Sequence, residues 1–171
     1  GGSVNNTVSL ASGSTISGTG SSSSGIKLVS SSSLTALTNL GTISGTDYGI
    51  NVSSSSITTF NNRQSGLTYN GVLPTNYNIV VNSTSDYGRT VFSSVSGSTT
   101  FGIYTGSVLA EETTYTSVVD GLTSSNIVAE SGTYTDSGKT YAWTLNNVSA
   151  NLWDLVIGLC DGCAPSAEST L

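Results

Sequence analysis

The sequence predicts an all-β protein, and three observations support this prediction. Apolar residues recur in pairs at alternate positions, such as Ile26 and Leu28 or Ile50 and Val52, which is the period of a strand. The residues between these pairs are mostly Gly, Ser, Thr, Asn and Asp, which favour turns and oppose helix interiors. The chain of 171 residues contains 20 Gly and only 2 Pro, which is typical of short strands joined by flexible turns.

Two segments near the N-terminus have similar sequences. Residues 14–39 read STISGTGSSSSGIKLVSSSSLTALTN, and residues 41–62 read GTISGTDYGINVSSSSITTFNN. The separation between matched residues falls from 27 to 24 to 23 positions, and the differences in length lie in Gly/Ser tracts. Short strands at such a period, joined by loops of variable length, indicate one circuit of a β-solenoid that occurs twice. The matched apolar residues are Ile16 with Ile43, Ile26 with Ile50, Leu28 with Val52, Leu34 with Ile57, and Leu37 with Phe60.

Residues 1–75 are therefore predicted to form β-solenoid or β-helix rungs. One circuit cannot bury its own apolar face, and about three circuits are normally needed for stability. Val4–Leu10 and Gly66–Val72 are predicted to supply partial circuits. Because so few circuits are visible, we expect a neighbouring copy of the chain to complete the backbone ladder.

Residues 76–158 are predicted to form a compact antiparallel β cap or sandwich-like unit. Pro74 is expected to end the strand that leaves the coil. Runs of β-branched and aromatic residues then alternate with turn residues, at 77–81, 90–92, 100–104 and 115–119. This unit is expected to cover the end of the coil, where strand edges would otherwise be unpaired.

Three further apolar runs, at 132–135, 139–145 and 152–157, predict an antiparallel meander. A helical turn or loop is expected before them, at Leu122–Val128. Asp136–Gly138 is expected to supply the first turn of the meander and residues 146–151 the second. Strand alternation places Tyr141, Trp143 and Leu145 on one face of their strand. In the final strand, the same alternation leaves Trp153, Leu155 and Ile157 for the buried side.

Charged residues make up only 8% of the chain, against about 25% in a typical soluble domain. Such a surface suits a protein that meets copies of itself. The formal net charge is −6, and the basic residues Lys27, Arg63, Arg89 and Lys139 are scattered, which disfavours nucleic-acid binding and a basic membrane-binding surface. No apolar run approaches the roughly 18 residues of a spanning helix, so membrane insertion is not expected. The chain begins with Gly, and we interpret it as a processed product or an excised piece.

Few residues in the chain suggest catalysis. The sequence contains no His, which excludes Ser-His-Asp and Cys-His arrangements, and it has no nucleotide-binding or metal-ligand motif, so no cofactor is expected. Tyr48 and Tyr104 are candidate surface contacts for sugars, and packing between circuits or copies explains them equally well. Carboxylates that are candidates for glycoside cleavage all lie on or beside predicted turns, where solvated side chains are expected: Asp47, Asp86, Glu111, Glu112, Asp120, Glu130, Asp136 and Asp154.

The two cysteines, Cys160 and Cys163, form a C-x-x-C sequence within residues 159–171, and the end of this segment is predicted to be flexible. No predicted helix follows them to lower the pKa of a thiol, so a redox function is disfavoured. Two thiols without His are too few for a metal site. We expect a disulfide, either between these two cysteines or to another chain.

Several phrases resemble the passenger region of bacterial autotransporter-type surface proteins. They are GTISGTDYGI at 41–50, ITTFNN at 57–62, LPTNYNIVVNS at 73–83 and SGSTTFGIY at 96–104. In addition, TYTDSGKTYAWTL at 133–145 and LWDLVI at 152–157 resemble the segment that closes such passengers. The resemblance covers residues 10–157, without the membrane barrel of that family. It implies an exported β-solenoid with a surface or adhesive role in a Gram-negative bacterium.

The sequence therefore predicts a secreted, non-enzymatic structural protein of the bacterial cell surface, a subunit of a self-assembling extracellular fibre or an adhesin. Its expected partners are copies of itself, through head-to-tail stacking or edge-strand addition. A monomeric adhesin fragment that binds glycans is the alternative. A polysaccharide-cleaving enzyme is a third hypothesis, and it requires two carboxylates that face each other across a groove.

Overall fold

The computed structural model describes residues 6–162. This part of the chain is all-β, as predicted, and its only helix is a single 3₁₀ turn at Ser124–Asn126. In chain order the strands are β1 (Thr7–Leu10), β2 (Thr15–Ser17), β3 (Ser24–Leu28), β4 (Ser33–Asn39), β5 (Thr42–Ser44), β6 (Tyr48–Val52), β7 (Ser56–Asn62), β8 (Leu67–Val72), β9 (Asn76–Ile79), β10 (Thr90–Ser96), β11 (Thr100–Ile103), β12 (Thr114–Asp120), β13 (Ser131–Asp136), β14 (Lys139–Ser149) and β15 (Leu152–Asp161).

The strands form three sheets. Sheet A has five strands in the order β1-β4-β7-β9-β11, and sheet B consists of β2 and β5. Sheet C has eight strands in the order β13-β14-β15-β12-β10-β8-β6-β3. Each circuit of the chain, from β1 to β12, contributes one strand to sheet A and one to sheet C, and neighbouring circuits pair in parallel. Sheet C is mixed, because β15 pairs antiparallel with β12.

The register of the first circuits is the one predicted from the repeated sequence. Ile16 lies opposite Ile43, and Ile26 and Leu28 lie opposite Ile50 and Val52. Leu34 and Leu37 lie opposite Ile57 and Phe60 in sheet A. The sequence alignment is therefore confirmed residue by residue, because a parallel in-register ladder places equivalent side chains directly above one another.

An aromatic ladder fills the core between sheets A and C. Phe60, Tyr77 and Phe101 occupy one register position in successive strands of sheet A, with ring centroids 5.5 and 5.9 Å apart. Tyr69 and Phe92 do the same in sheet C, with centroids 5.4 Å apart. The two sets are in contact, since Tyr77 meets Phe92 edge-to-face at 5.5 Å. These rings make the interior a continuous apolar stack through the middle circuits.

The predicted division of the chain near residue 75 is not visible in the strand pairing. β9 pairs in parallel with β7, and β10 pairs in parallel with β8 and β12, so residues 76–120 continue the sheets of the first segment. The expectation of an antiparallel unit over 76–158 is therefore wrong for its first half. A short β-branched run has the same alternation in either pairing direction, so the sequence pattern did not reveal the continuation. Of the predicted partial circuits, Gly66–Val72 contains β8 and Val4–Leu10 contains β1, while Val4 lies outside the described residues.

The antiparallel meander is present as β13, β14 and β15. Ser137 and Gly138, with φ of 49° and 80°, form its first turn, which confirms the predicted position. The second turn is shorter than predicted, because β14 continues to Ser149 and only residues 150–151 separate it from β15. The side chains predicted to face the core are buried, as expected: Tyr141, Trp143, Leu145, Trp153, Leu155 and Ile157.

The meander covers the C-terminal end of the core. The Trp143 ring packs edge-to-face on Phe101, the last ring of the ladder, at 5.4 Å. The Tyr134 hydroxyl donates to the carbonyl oxygen of Ser107 at 3.0 Å, and Trp153 Nε1 donates to the carbonyl oxygen of Leu122 at 2.7 Å. Phe101 is only 3% exposed as a result.

Candidate functional site

The N-terminal end of the core, unlike the C-terminal end, is not covered by other strands among residues 6–162. The strands of the first circuit, β1, β2 and β3, pair only with β4, β5 and β6, respectively, within the described chain. We call these three strands the N-terminal edge. Each of them leaves one side of its backbone without a strand partner, and such edges are sites for pairing with another chain.

Apolar side chains are also incompletely buried at the N-terminal edge. Val8, Ile16, Ile26 and Leu28 are half-buried and pack against the core from one side. The residues at the same register positions in the second circuit are at most 1% exposed: Leu37, Ile43, Ile50 and Val52. Because the paired positions share a face of the same sheet, the difference reflects a neighbouring circuit that the first one lacks among residues 6–162. Burying these side chains against another chain is therefore favourable.

The peptide groups of β1 alternate between β4 and the unpaired side. The carbonyl oxygens of Asn6 and Leu10 accept from the backbone N–H groups of Thr35 and Leu40 in the second circuit. By strand alternation, the peptide groups of Thr7 and Ser9 are directed to the unpaired side. The side chains of Thr7 and Ser9 are exposed and uncharged. This edge therefore presents hydrogen-bonding groups without a charge that would oppose strand addition.

Sheet B ends after two strands because one side chain replaces the third. Gln64 lies in the third circuit, beside Ile43 of β5. Ile43 donates its N–H to Gln64 Oε1 at 2.7 Å, and Gln64 Nε2 donates to the carbonyl oxygen of Ile43 at 3.1 Å. Asn39 Nδ2 also donates to Gln64 Oε1, at 3.0 Å. The carboxamide thus makes the two hydrogen bonds of a peptide unit and covers the β5 side of sheet B, which leaves only the β2 side unpaired.

A row of buried polar side chains continues from this corner. Asn39 Nδ2 donates to Asn62 Oδ1 at 3.1 Å, and Asn62 Nδ2 donates to Thr90 Oγ1 at 3.0 Å. The hydroxyl groups of Thr90 and Tyr77 are 2.8 Å apart. These residues are not among the site residues predicted from the sequence, although Asn39 and Asn62 occupy equivalent positions at the ends of the two repeats. The repetition of an asparagine at the end of an apolar strand is the sequence feature that could have predicted this buried polar row.

Replacing Gln64 by alanine should lower the free energy of unfolding by about 2–3 kcal/mol, because the N–H and carbonyl groups of Ile43 would lose their partners. Gln64→Glu is the matched control. It can still accept from the N–H of Ile43, but its second carboxylate oxygen would face the carbonyl oxygen of Ile43 without a proton to donate, so a loss is expected here too. Urea denaturation followed by circular dichroism measures both values. Equal stability of Gln64→Ala and the wild type would contradict the role of Gln64 in closing sheet B.

Two of the carboxylates named as catalytic candidates, Asp86 and Asp154, accept hydrogen bonds from other groups of the protein. Asp86 accepts two hydrogen bonds from Arg63 Nε, at 3.1 and 3.2 Å, and forms an ion pair with the same guanidinium group. The hydrogen bond with Arg63 lowers the pKa of Asp86. Asp154 accepts from the backbone N–H of Ser117 at 2.7 Å, where β12 has a bulge. The other candidates are exposed: Asp47, Glu111, Glu112, Asp120, Glu130 and Asp136.

The structure does not bring the two tyrosines predicted as surface contacts together. Tyr48 begins β6 of the second circuit, in sheet C, and lies opposite Ser24. Tyr104 follows β11 of the fifth circuit, in sheet A, where its N–H donates to the carbonyl oxygen of Ile79. Both side chains are half-buried. At about 4.8 Å per circuit, three circuits separate them by about 14 Å along the stack, too far for one sugar ring to contact both.

Cys160 lies in β15 and is disulfide-bonded, and its N–H donates to Glu111 Oε2 at 3.1 Å. Cys163 lies outside the described residues, so the choice between a local and an intermolecular disulfide stays a prediction. Within residues 6–162, no group of three or more metal-ligating side chains is found. Residues 6–162 contain no helix with the length and hydrophobicity that a membrane span requires.

Comparison with known proteins gives no match, whether with family models, curated proteins or solved structures. The resemblance to autotransporter passenger regions therefore stays an interpretation of the sequence phrases.

Proposed function

We propose that the protein is a non-enzymatic structural protein of the bacterial cell surface, built as a capped β-solenoid and completed at its N-terminal edge by another copy. The contrast in exposure between the first two circuits carries this proposal. Val8, Ile16, Ile26 and Leu28 are half-buried, whereas their register partners are almost fully buried. The second set is covered by a circuit on each side, whereas the first set has a circuit on one side only among the described residues.

The solenoid architecture is supported by the way successive circuits stack. Each circuit adds one parallel strand to sheet A and one to sheet C, at in-register positions. Such stacking buries a continuous core that no single circuit could form. The surface role is supported by the low content of charged residues and by the sequence phrases that resemble exported passenger regions.

A second copy is the partner that fits the N-terminal edge. Among the residues of β1, β2 and β3, Lys27 is the only charged one, so two copies of this edge meet without strong repulsion. Contact between two identical edges is isologous and closes at two copies. Head-to-tail growth needs an open core at the opposite end, which is where the meander packs on Phe101. We therefore favour edge-strand pairing in a dimer over an open-ended filament.

The test is the oligomeric state of the wild type and of Ser9→Pro. The N–H of Ser9 is directed to the unpaired side of β1, so proline removes a donor of the edge without breaking the ladder with β4. Light scattering coupled to size-exclusion chromatography should give a dimer for the wild type and a monomer for Ser9→Pro. Ser9→Ala, which keeps the N–H, should remain dimeric.

Two outcomes would contradict the dimer proposal. A wild-type monomer across the micromolar range would mean that another chain segment, or nothing, covers the N-terminal edge. Filaments in electron micrographs of the native material would mean that the C-terminal end also takes part in assembly.

A further inference from the structure

A groove of about 670 Å³ crosses the outer face of sheet C, on the side of the sheet away from the core. It lies where β3, β6, β8 and β10 end, and its polar lining includes Lys27, Asn51, Asn70, Ser53 and Ser96. Its volume falls within the range of small-molecule sites, which is about 300–1,000 Å³. The groove contains neither Tyr48 nor Tyr104 in its lining.

Register places the polar groups of the groove in one row. Lys27 lies opposite Asn51, and Asn51 lies opposite Asn70. Asn70 Nδ2 donates to Asn51 Oδ1 at 3.2 Å. Asn70 Oδ1 is buried and has no hydrogen-bond partner among the described residues. A buried acceptor without a donor is uncommon in a folded protein, and it points to a ligand or water that supplies one.

We propose that this groove binds a neutral carbohydrate. A sugar hydroxyl both donates and accepts, so it can satisfy Asn70 Oδ1 while neighbouring hydroxyls accept from Asn51 Nδ2 and Lys27 Nζ. The terminal torsion of Asn70 is soft, so its carboxamide can turn to offer the oxygen to a ligand. Val29, which is 42% exposed, and Val72 supply apolar walls for the C–H face of a sugar ring.

The groove offers an acidic sugar only one cationic side chain. Lys27 is the only charged residue that lines the groove, and the chain as a whole has a formal net charge of −6. The excess of carboxylates elsewhere in the chain opposes the approach of an anionic polysaccharide to this single lysine. Asn51, Asn70 and Ser96 belong to circuits behind the first one, whereas Lys27 and Val29 belong to the first circuit, so a second copy at the N-terminal edge would border this groove without occupying the asparagine row.

The experiment titrates ¹⁵N-labelled protein with cellotriose, maltotriose and chitotriose separately, each followed by NMR chemical shifts. At least one of them should produce saturable shifts at the amides of Asn51, Asn70 and Ser96. Asn70→Ala should weaken that binding about 3- to 10-fold, the effect of one hydrogen bond to a neutral ligand. Asn78→Ala is the matched control, because Asn78 donates to Asn61 in a similar ladder on sheet A but does not line the groove. Its affinity should equal that of the wild type.

Ser53→Trp provides a second variant in case Asn70→Ala fails to fold. Ser53 is exposed at the rim of the groove, so tryptophan should fill the groove and abolish the shifts without unfolding the protein. The proposal is overturned if no trisaccharide gives saturable shifts, if the shifts map to residues outside the groove, or if Ser53→Trp binds as well as the wild type. Binding of trigalacturonate alone would overturn the assignment to neutral sugars.

Discussion

Replacing Tyr77 by alanine is expected to lower the free energy of unfolding by about 3–5 kcal/mol, the cost of removing a large buried aromatic side chain. Tyr77 is fully buried, and its ring contacts Phe60, Phe92 and Phe101 at centroid distances between 5.5 and 5.9 Å. It therefore joins the two halves of the aromatic ladder. The cavity left by alanine would lie between sheets A and C and would separate those rings. Urea denaturation at neutral pH measures the change.

Two control substitutions show how much of the loss of stability in Tyr77→Ala comes from the buried ring. Tyr77→Phe removes only the hydroxyl that lies 2.8 Å from Thr90 Oγ1, so a loss of about 1 kcal/mol is expected. Tyr104→Ala removes a half-buried tyrosine outside the ladder and should cost less than Tyr77→Ala. If Tyr77→Ala costs no more than Tyr104→Ala, the aromatic ladder does not hold the sheets together.

The burial of Tyr77 also predicts that the stability of the protein falls at alkaline pH. Burial raises the pKa of Tyr77 from its ordinary value of about 10 to about 12. A raised pKa means that the folded state holds its proton more tightly than the unfolded state. The stabilisation is therefore fully present below pH 10 and is lost as the pH rises toward 12. Tyr77→Phe should reduce this alkaline loss of stability, and urea denaturation at several values of pH tests it.

Gly121→Ala is expected to destabilise the protein by about 2–5 kcal/mol, the sum of a left-handed backbone and an overpacked contact. Gly121 has a φ of +89°, and a Cβ atom added to it would lie 2.0 Å from the carbonyl oxygen of Phe92. That oxygen belongs to the neighbouring strand β10, which cannot move without disturbing sheet C. Thermal or urea denaturation of the purified variant measures the loss.

Gly97→Ala is the matched control for Gly121→Ala. Gly97 has nearly the same φ, +87°, but a Cβ atom added there meets no atom within 4 Å. Its replacement should cost only the conformational strain, about 1–2 kcal/mol. Similar losses in the two variants would mean that close packing of the circuits does not select glycine at position 121.

Some features of the meander follow from the local sequence and others do not. Alternation predicted the buried face of β15, and Asp136–Gly138 predicted the position of the first turn, because both depend only on the local chain. The end of β14 was misplaced, since Asn147 and Ser149 favour turns yet pair with Trp153 and Leu152 across a bulge. Pairing with β15 outweighs the local preference at these positions.

The candidate sites depended on contacts that the local sequence does not encode. Gln64 acts as a peptide unit only because the third circuit brings it beside Ile43. Asn70 lies in a groove only because β3, β6, β8 and β10 end side by side. The prediction that Tyr48 and Tyr104 contact sugars rested on residue type alone. Their positions in different circuits and sheets keep them apart.

The sequence by itself determined the strand content, the register of the first two circuits and the inward faces of the meander. A period of two and a repeated spacing are properties of the chain that need no knowledge of its neighbours. Only the tertiary structure decided that residues 76–120 continue the parallel stack, that the C-terminal end is covered, and that β1, β2 and β3 have no strand on their outer side among the described residues. The reason is that a strand carries the same alternating pattern whether its neighbour is parallel, antiparallel or absent.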